Sequence, residues 1–163
     1  MRLTEVTPEL RERVAALEPY PDQIRFSGRA RDTMVLTVGT SVRRAVTALD
    51  DDGEPFAFMI LDTGPSMIAV HQAGTVGVRA FYVAAERQGR GLGTAVLLAL
   101  PDYVREHYPG ATRIALTVNT QNEIARRAYA RAGFRDTGRR YTAGPLGPQH
   151  VLELPLERET SGP

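Results

Sequence analysis

A glycine-rich segment at residues 88–94 separates a β-strand pattern from the best amphipathic helix pattern of the chain. It reads Gln88, Gly89, Arg90, Gly91, Leu92, Gly93 and Thr94. Glycines let the backbone turn tightly and expose consecutive N–H groups, and a helix N-terminus adds partial positive charge. A strand, a glycine turn and a helix in this order predict a sheet protein with a candidate anion site at the turn.

Two familiar phosphate motifs do not fit this segment. No lysine follows Gly93, as a G-x-x-x-x-G-K-[ST] loop requires, which counts against a nucleotide hydrolase. Its G-x-G-x-G spacing also departs from the dinucleotide fingerprint G-x-G-x-x-G. By itself, the segment is equally compatible with a purely structural glycine turn and with a ligand site.

A second cluster falls on a short helix that begins after Asn122 and ends at Gly133. At helical spacing, Asn122, Ala125 and Tyr129 share one narrow arc. A neighbouring apolar arc, predicted to pack against the core, holds Ile124, Ala128 and Ala132. Considered alone, Tyr129 is better explained as an amphipathic packing residue than as a functional one.

The rest of the pattern predicts one domain over residues 1–163, with a frayed tail at 157–163. Helices are predicted to start at Thr7–Pro8 and at Pro21, and the long helix is predicted to continue through a solvent-side kink at Pro101. Strands are predicted at 43–49, 55–61, 75–83, 134–141 and 150–156 and around Ile114, Leu116 and Val118, with an acidic turn at 50–53. These elements together indicate an α/β or α+β fold.

The two clusters, in this order, resemble the GNAT superfamily of N-acetyltransferases. The segment at 88–93 matches its Q/R-x-x-G-x-G/A motif, and residues 122–134 match its N-x-x-A-x-x-x-Y-x-x-x-G-F motif. The resemblance spans residues 78–156, and the stretch 144–150 is similar to a less characterised bacterial branch. It implies a mixed, mainly antiparallel sheet flanked by helices, in which two central parallel strands, 78–84 and 112–119, splay apart to admit acetyl-coenzyme A (acetyl-CoA).

The resemblance also implies roles for individual residues. Main-chain groups of Phe81 and Val83 would pair with the pantetheine arm, and the amides of residues 88–94 would hold the pyrophosphate. Arg90 would add a charge-assisted contact, and Asn122 and Arg126 would touch acetyl-CoA from the other side. Tyr129 matches the tyrosine that protonates the departing thiolate in many members.

The residue that removes the proton from the acceptor is not identified by the sequence. Many members carry a glutamate on the strand before the glycine turn, but Arg79 stands near that place here. Glu54, Asp62 and His150 are candidates, although each is better explained as a solvated or paired side chain. Because the chain has no cysteine, direct attack of an amine on the thioester is favoured over a cysteinyl intermediate.

Composition and charge limit the classes of molecule that the chain is expected to bind. A net charge of +1 argues against nucleic-acid binding, and no apolar run approaches the roughly 18 residues of a membrane span. The N-terminus lacks the apolar core of a secretory signal, so a cytoplasmic location is expected. The three histidines are far apart, which disfavours a metal site.

We therefore expect an acetyl-CoA-dependent transferase that acts on a primary amine of a small molecule or peptide. A homodimer is expected from the resemblance and from exposed sheet edges. The alternative is a non-catalytic acetyl-CoA-binding module that acts as a sensor or partner domain.

Overall fold

The computed structural model describes residues 1–157, whose strands form one mixed sheet in the order β1-β2-β3-β4-β5-β7-β6. The strands are β1 (Arg2–Glu5), β2 (Arg43–Leu49), β3 (Pro55–Asp62), β4 (Thr75–Val83), β5 (Arg113–Asn119), β6 (Arg135–Tyr141) and β7 (Gln149–Pro155). The helices are α1 (Pro8–Ala15), α2 (Ile24–Ser27), α3 (Ala30–Thr33), α4 (Leu92–His107) and α5 (Glu123–Arg131). Short 3₁₀ turns occupy Pro21–Gln23, Met34–Thr37 and Ala85–Arg87.

The central pair, β4 and β5, diverges soon after it forms. These strands run parallel and pair at three positions, from Thr75–Arg113 to Gly77–Ala115. The other neighbouring strands of the described sheet pair antiparallel. This confirms the predicted fold class, including the splayed central pair.

The helices cover both faces of the sheet. On one face, α4 and α5 bury a core with alternate sheet residues such as Val78, Leu116 and Val118. On the other face, α1 and α3 pack on Phe58 and Ile60. Because strand side chains alternate between faces, each sheet residue is assigned to one of these two layers.

A bulge in β4 changes its register with β3 shortly after the last pair that β4 makes with β5. Phe58 pairs with Tyr82 but Ile60 pairs with Arg79, so β4 has one more residue here than β3. Ala80 lies in this bulge with φ of 58°, a left-handed conformation uncommon for residues other than glycine. The extra residue places both Phe81 and Val83 on the α4 side of the sheet.

Tyr82 attaches the covering segments of the other face to β4. Its buried hydroxyl donates to the Leu17 carbonyl at 2.7 Å and accepts from the Ala30 amide at 2.8 Å. Burial raises the pKa of Tyr82 to about 12, so the phenol stays protonated and can keep both bonds. These bonds fix the chain on either side of α2, which lies over β4.

Most predicted elements are confirmed within one or two residues. Thr7 precedes α1 with Pro8 in its first turn, although the Thr7 side chain makes no capping hydrogen bond. The acidic turn at 50–53 closes the β2–β3 hairpin, with Gly53 at φ of 80°. The sequence analysis missed β1 and α3, which have only four residues each. Of the predicted tail, residues 158–163 lie outside the described residues.

Helix α4 continues through Pro101 as predicted, but its buried face differs from the apolar pattern of the sequence. Helical spacing predicts buried positions at Leu92, Ala95, Val96, Ala99, Leu100, Tyr103 and Val104. Leu97 is outside that pattern but is fully buried, while Leu92, Ala95 and Ala99 are only partly buried. Between residues 1 and 157, no helix has both the length and the apolar character needed to span a bilayer.

A buried carboxylate connects β2, β3 and β4. Asp62 accepts hydrogen bonds from the Gly64 amide at 2.7 Å and from Arg43 and Arg79 at 3.1 Å each. Ser66 donates to the same carboxylate at 3.2 Å. Burial by itself would raise the pKa of Asp62, but the Gly64 amide and the two guanidinium groups hold it below its usual range.

We predict that Asp62→Asn lowers the free energy of unfolding by about 3 kcal/mol at pH 7, because two guanidinium groups lose their buried counter-charge. The folded pKa is lowered, so this stabilisation is present above an unfolded pKa of about 3.9 and is lost as the pH falls through the folded value. Urea unfolding of both proteins should show a smaller difference in the free energy of unfolding at pH 3 than at pH 7.

The matched control is Asp102→Asn, which breaks an exposed pair with Arg105 and should change stability by under about 0.5 kcal/mol. A difference for Asp62→Asn that is below about 1 kcal/mol at pH 7, or independent of pH, would contradict the network's role.

Candidate functional site

A cavity of about 440 Å³ opens where β4 and β5 diverge. Side chains and main chain from both faces of the sheet line it. From the α4 side come the glycine-rich segment and α5, and from the other side come α2 and the β6–β7 loop. The cavity therefore passes between the two central strands from one layer to the other.

One edge of β4 faces this cavity without a strand partner. Beyond Gly77, β4 keeps β3 as a neighbour but makes no further pair with β5 among the described residues. Phe81 and Val83, both predicted to contact acetyl-CoA, line the cavity on this stretch. Unpaired strand N–H and C=O groups are a template for an extended ligand chain, since such groups need partners.

The glycine-rich segment presents free amides to the cavity. Gly89 and Gly91 have φ of 79° and 73°, and Gly91 immediately precedes α4. Within residues 1–157, the amides of residues 89–94 donate no hydrogen bond to another group. The amide of Gln88, also predicted to bind pyrophosphate, already donates to the Ala85 carbonyl at 3.2 Å. The amides of residues 89–94 at the α4 N-terminus are thus available to an anion, whereas that of Gln88 is not.

Gln88 has a positioning role that the sequence analysis did not find. Its side-chain amide donates to the Val83 carbonyl at 2.8 Å and to Gln23 at 2.7 Å. Gln23 donates back to Gln88 at 3.0 Å. This reciprocal amide pair joins the glycine-rich segment to the start of α2 across the cavity.

The caps of α5 place its cavity-facing residues. The Asn122 side-chain oxygen accepts from the Ala125 amide at 3.3 Å, and both residues line the cavity. At the other end, Gly133 has φ of 96° and the Phe134 amide donates to the Tyr129 carbonyl at 3.0 Å. This is a Schellman ending, which brings Phe134 back against Tyr129.

Two aromatic rings hold the buried Tyr129 at the cavity. Its ring centroid is 5.5 Å from that of Phe134, edge-on, and 6.3 Å from that of Phe81. Among the described residues, its hydroxyl has no hydrogen-bond partner. Burial raises the pKa of Tyr129 above the ordinary phenol value, so the hydroxyl remains protonated at neutral pH.

Several expectations about side chains differ from the structure. Ile124, predicted to pack in the core, is 70% exposed at the cavity rim, because α5 contacts the core through Ala125, Ala128 and Tyr129. The exposed Arg90 is not among the lining residues. Arg126 faces a separate depression and donates to the Thr120 carbonyl at 3.3 Å. The arginine of α5 that lines the cavity is Arg131.

The three candidate bases lie outside the cavity. Glu54 pairs with Arg13 near the β2–β3 hairpin, and Asp62 is saturated by the donors described above. His150 is buried beside Asp136, whose Oδ2 is 3.0 Å from His150 Nδ1 but outside hydrogen-bonding geometry. Of the described residues that line the cavity, none is an aspartate, a glutamate or a histidine.

The side of the cavity away from α4 was not predicted, because short segments distant in sequence form it. Phe26 and Ser27 contribute from α2, Leu146 contributes from the β6–β7 loop, and Gln149 is the first residue of β7. The Asn119 side chain donates to the Leu146 carbonyl at 2.9 Å, which fixes this loop at the end of β5. The glycines and prolines of residues 144–148 are typical of a loop, but they do not indicate where that loop packs in the fold.

A strand pair that opens onto free amides at a helix N-terminus can hold an extended chain that ends in an anion, and comparison with known families identifies the class of protein. The model of the acetyltransferase (GNAT) family matches residues 9–134. The chain belongs to the GNAT family of acetyltransferases. It is 31% identical over 133 residues to the uncharacterised N-acetyltransferase YbbJ of Bacillus subtilis (strain 168), covering 80% of this chain and 82% of that protein.

Solved structures show the same fold over almost the whole chain. AAC(6')-Ib in complex with paromomycin and acetyl-CoA gives a TM-score of 0.74 at 20% identity, covering 99% of this chain and 98% of that one. Spermidine N-acetyltransferase from Vibrio cholerae, in complex with CoA and spermine, gives 0.70 at 13% identity and 95% coverage of both chains. A putative phosphinothricin N-acetyltransferase gives 0.69 at 18% identity, covering 96% and 99%.

We predict that Tyr129→Phe changes the free energy of unfolding by less than about 0.5 kcal/mol, since the hydroxyl has no hydrogen-bond partner among the described residues. Tyr129→Ala should instead cost about 3–5 kcal/mol, because it removes a buried ring between Phe81 and Phe134. Urea denaturation measures both. A large loss for the phenylalanine variant would mean that the hydroxyl serves the fold.

Proposed function

We propose that this chain transfers an acetyl group from acetyl-CoA directly to a primary amine of a small molecule or peptide. One observation carries the proposal: a single cavity brings together an unpaired β4 edge, free amides at a helix N-terminus and a protonated buried tyrosine. These features match, in order, an amide-containing pantetheine arm, a pyrophosphate and a thiolate leaving group.

The phosphate end of the ligand fits residues 89–94. Their amides are free, and Gly89 and Gly91 have open space where a side chain would otherwise stand. The N-terminal end of α4 adds partial positive charge next to them. From this anchor, the pantetheine arm would extend along β4 past Val83 and Phe81 into the gap between the central strands.

The reaction breaks the thioester C–S bond and forms a C–N bond. The amine lone pair attacks the acetyl carbonyl carbon, and the carbon–sulfur bonding pair leaves with sulfur as the CoA thiolate. One proton leaves the amine nitrogen for water, the CoA thiolate takes up one proton from a donor, and that donor is reprotonated from water. The products are an N-acetyl amide and the free CoA thiol.

Tyr129 is the proposed donor to sulfur. Burial keeps its phenol protonated, so it is ready to donate before the reaction begins. A phenol of raised pKa is a weak acid, but the same dry surroundings also make a thiolate more basic. A hydrogen bond to the developing negative charge on sulfur is favoured in such a cavity, where water competes poorly.

Small amines are acceptors that a cavity of this kind can admit. The structural neighbours named above include complexes with paromomycin and with spermine. No acidic or histidine side chain among the described residues lines the cavity, so water is the proposed carrier of the amine proton. A lysine-like amine costs roughly 4.6 kcal/mol to deprotonate at pH 7, so less basic amines are better acceptors.

The proposal also includes a cytoplasmic location, as expected from the sequence, and a homodimer, which rests on the family resemblance and on exposed sheet edges. β1 and β6 are the edge strands of the described sheet, and most side chains of β6 are exposed. The other candidate function is a non-catalytic acetyl-CoA-binding module. A protonated tyrosine inside the cavity favours the enzyme, because binding alone does not need a proton donor.

We predict that acetyl-CoA binds and that Gly91→Asp raises its Kd about 10-fold or more, through a negative charge at the phosphate site. Gly91→Asn is the matched control, since it has the same size and a similar tolerance of the φ of 73° without the charge. Calorimetry on the unchanged protein and the two variants separates the effect of the charge from that of side-chain size. Equal affinities for the Asp and Asn variants would place the phosphates elsewhere, and no binding to the unchanged protein would overturn the proposal.

We further predict that Tyr129→Phe lowers kcat by about 10²–10⁴-fold, the usual contribution of a positioned acid, with little change in the Kd of acetyl-CoA. Release of free CoA thiol in single-turnover experiments reports the chemical step. Tyr103→Phe is the control, because Tyr103 is a buried tyrosine of α4 outside the cavity lining. If Tyr129→Phe retains kcat within a few-fold, the donor is water or another group.

A further inference from the structure

The cavity has two halves, separated by the plane of the sheet. The glycine-rich segment, Phe81, Val83 and Tyr129 lie on the α4 side. The half on the opposite side is lined mainly by uncharged residues of α2, β5 and the β6–β7 loop. Because the proposed phosphate site and proton donor occupy the first half, the second half is left for the acceptor, and we name it the acceptor half.

Arg79 supplies the charge of the acceptor half. Its neighbour Val78 packs with α4, so Arg79 points to the opposite face, where it meets Asp62. About a third of its side chain, 34%, is exposed, whereas that of Asp62 is completely covered. An acceptor molecule therefore encounters the guanidinium and not the carboxylate.

The cluster beneath the acceptor half is positive overall. Asp62 is shared between Arg79 and Arg43, so two positive charges and one negative charge leave a net charge of +1. Arg43 does not line the cavity among the described residues. One terminal nitrogen of Arg79 is engaged by Asp62 and Ser66, which leaves other guanidinium N–H groups free to donate.

This charge arrangement discriminates between kinds of amine. A polycationic acceptor would need carboxylates to replace its hydration, and the described lining provides none. A carboxylate on the acceptor would instead meet a guanidinium, which binds carboxylates through paired hydrogen bonds. A nearby fixed cation also favours the neutral form of an amine, and this helps a cavity that lacks a basic side chain.

We propose, on the basis of the function above, that the acceptor is a small amine that carries its own carboxylate, such as an amino acid or dipeptide, bound through Arg79. Arg79 then selects the acceptor, in the place where the family resemblance led us to expect a glutamate. The amine end of the same molecule lies toward the thioester, between the central strands.

The first test compares acceptors that differ only in charge. Amino acids and dipeptides are assayed against their C-terminal carboxamides, with spermidine and kanamycin as cationic acceptors, by release of CoA thiol. We expect kcat/KM for the preferred carboxylate-bearing acceptor to exceed that of its carboxamide by about 10- to 100-fold, the equivalent of one charged hydrogen-bond contact. Because amino acids and dipeptides are assayed separately, the experiment also shows which of the two is the preferred carboxylate-bearing acceptor.

The second test uses a matched pair of arginine variants. Arg79→Gln and Arg43→Gln each remove one of the two guanidinium partners of Asp62, but only the first changes the cavity lining. We expect Arg79→Gln to raise KM for the carboxylate acceptor about 10- to 100-fold and to abolish the preference over the carboxamide. Arg43→Gln should keep that preference, and Arg79→Lys should restore part of it.

The outcomes separate this inference from the function on which it rests. Failure of acetyl-CoA to bind would overturn both. Normal acetyl-CoA binding with transfer to spermidine or kanamycin at equal or higher kcat/KM, or with no transfer to any carboxylate-bearing amine, would overturn the inference alone. An equal loss of preference in both arginine variants would assign Arg79 a structural role and also overturn it.

Discussion

Every feature of the site depends on where the parallel pairing of β4 and β5 stops. Three paired positions hold the two strands together, and beyond Gly77 the described part of the chain places no partner for their main-chain groups across the gap. The bulge at Ala80 falls within the divergent part and turns Phe81 and Val83 toward α4. An opening in the centre of a sheet leaves unpaired backbone groups, which native proteins rarely leave without partners. A ligand that supplies those partners completes the sheet.

Contacts within the protein fix the packing around the opening. Tyr82 secures the chain on both sides of α2, while the Schellman ending of α5 packs Phe134 against Tyr129. The amide pair of Gln23 and Gln88 connects the two layers at the mouth of the cavity. Preorganisation of this kind reduces the ordering cost of binding, since little of the lining has to be fixed afterwards.

The sequence predicted those parts of the fold and site that are continuous along the chain. The glycine turn before α4, the Asn122 cap and the Gly133 ending depend on local backbone rules, and the structure has each of them. Helical spacing also predicted that Tyr129 shares an arc with Asn122 and Ala125, and the three residues line the same cavity.

What could not be predicted depends on long-range packing. Nothing local distinguishes Ile124, which is exposed, from Ala128, since both lie on the same predicted arc. The partners of Gln88 and the contacts that hold the β6–β7 loop involve residues far apart in sequence. Arg79 was noted as a departure from the family pattern, but its pairing with Asp62 and its cavity exposure became apparent only from the fold.

The double pairing of Asp62 has an evolutionary consequence. If a buried carboxylate had a single cationic partner, mutation of that partner would leave an uncompensated charge in the core. Here Arg43 pairs with Asp62 from outside the cavity, so the carboxylate keeps one partner when residue 79 changes. Substitution of Arg79 should therefore cost little stability, and on the proposal that Arg79 binds the acceptor, acceptor preference could change through this one strand residue.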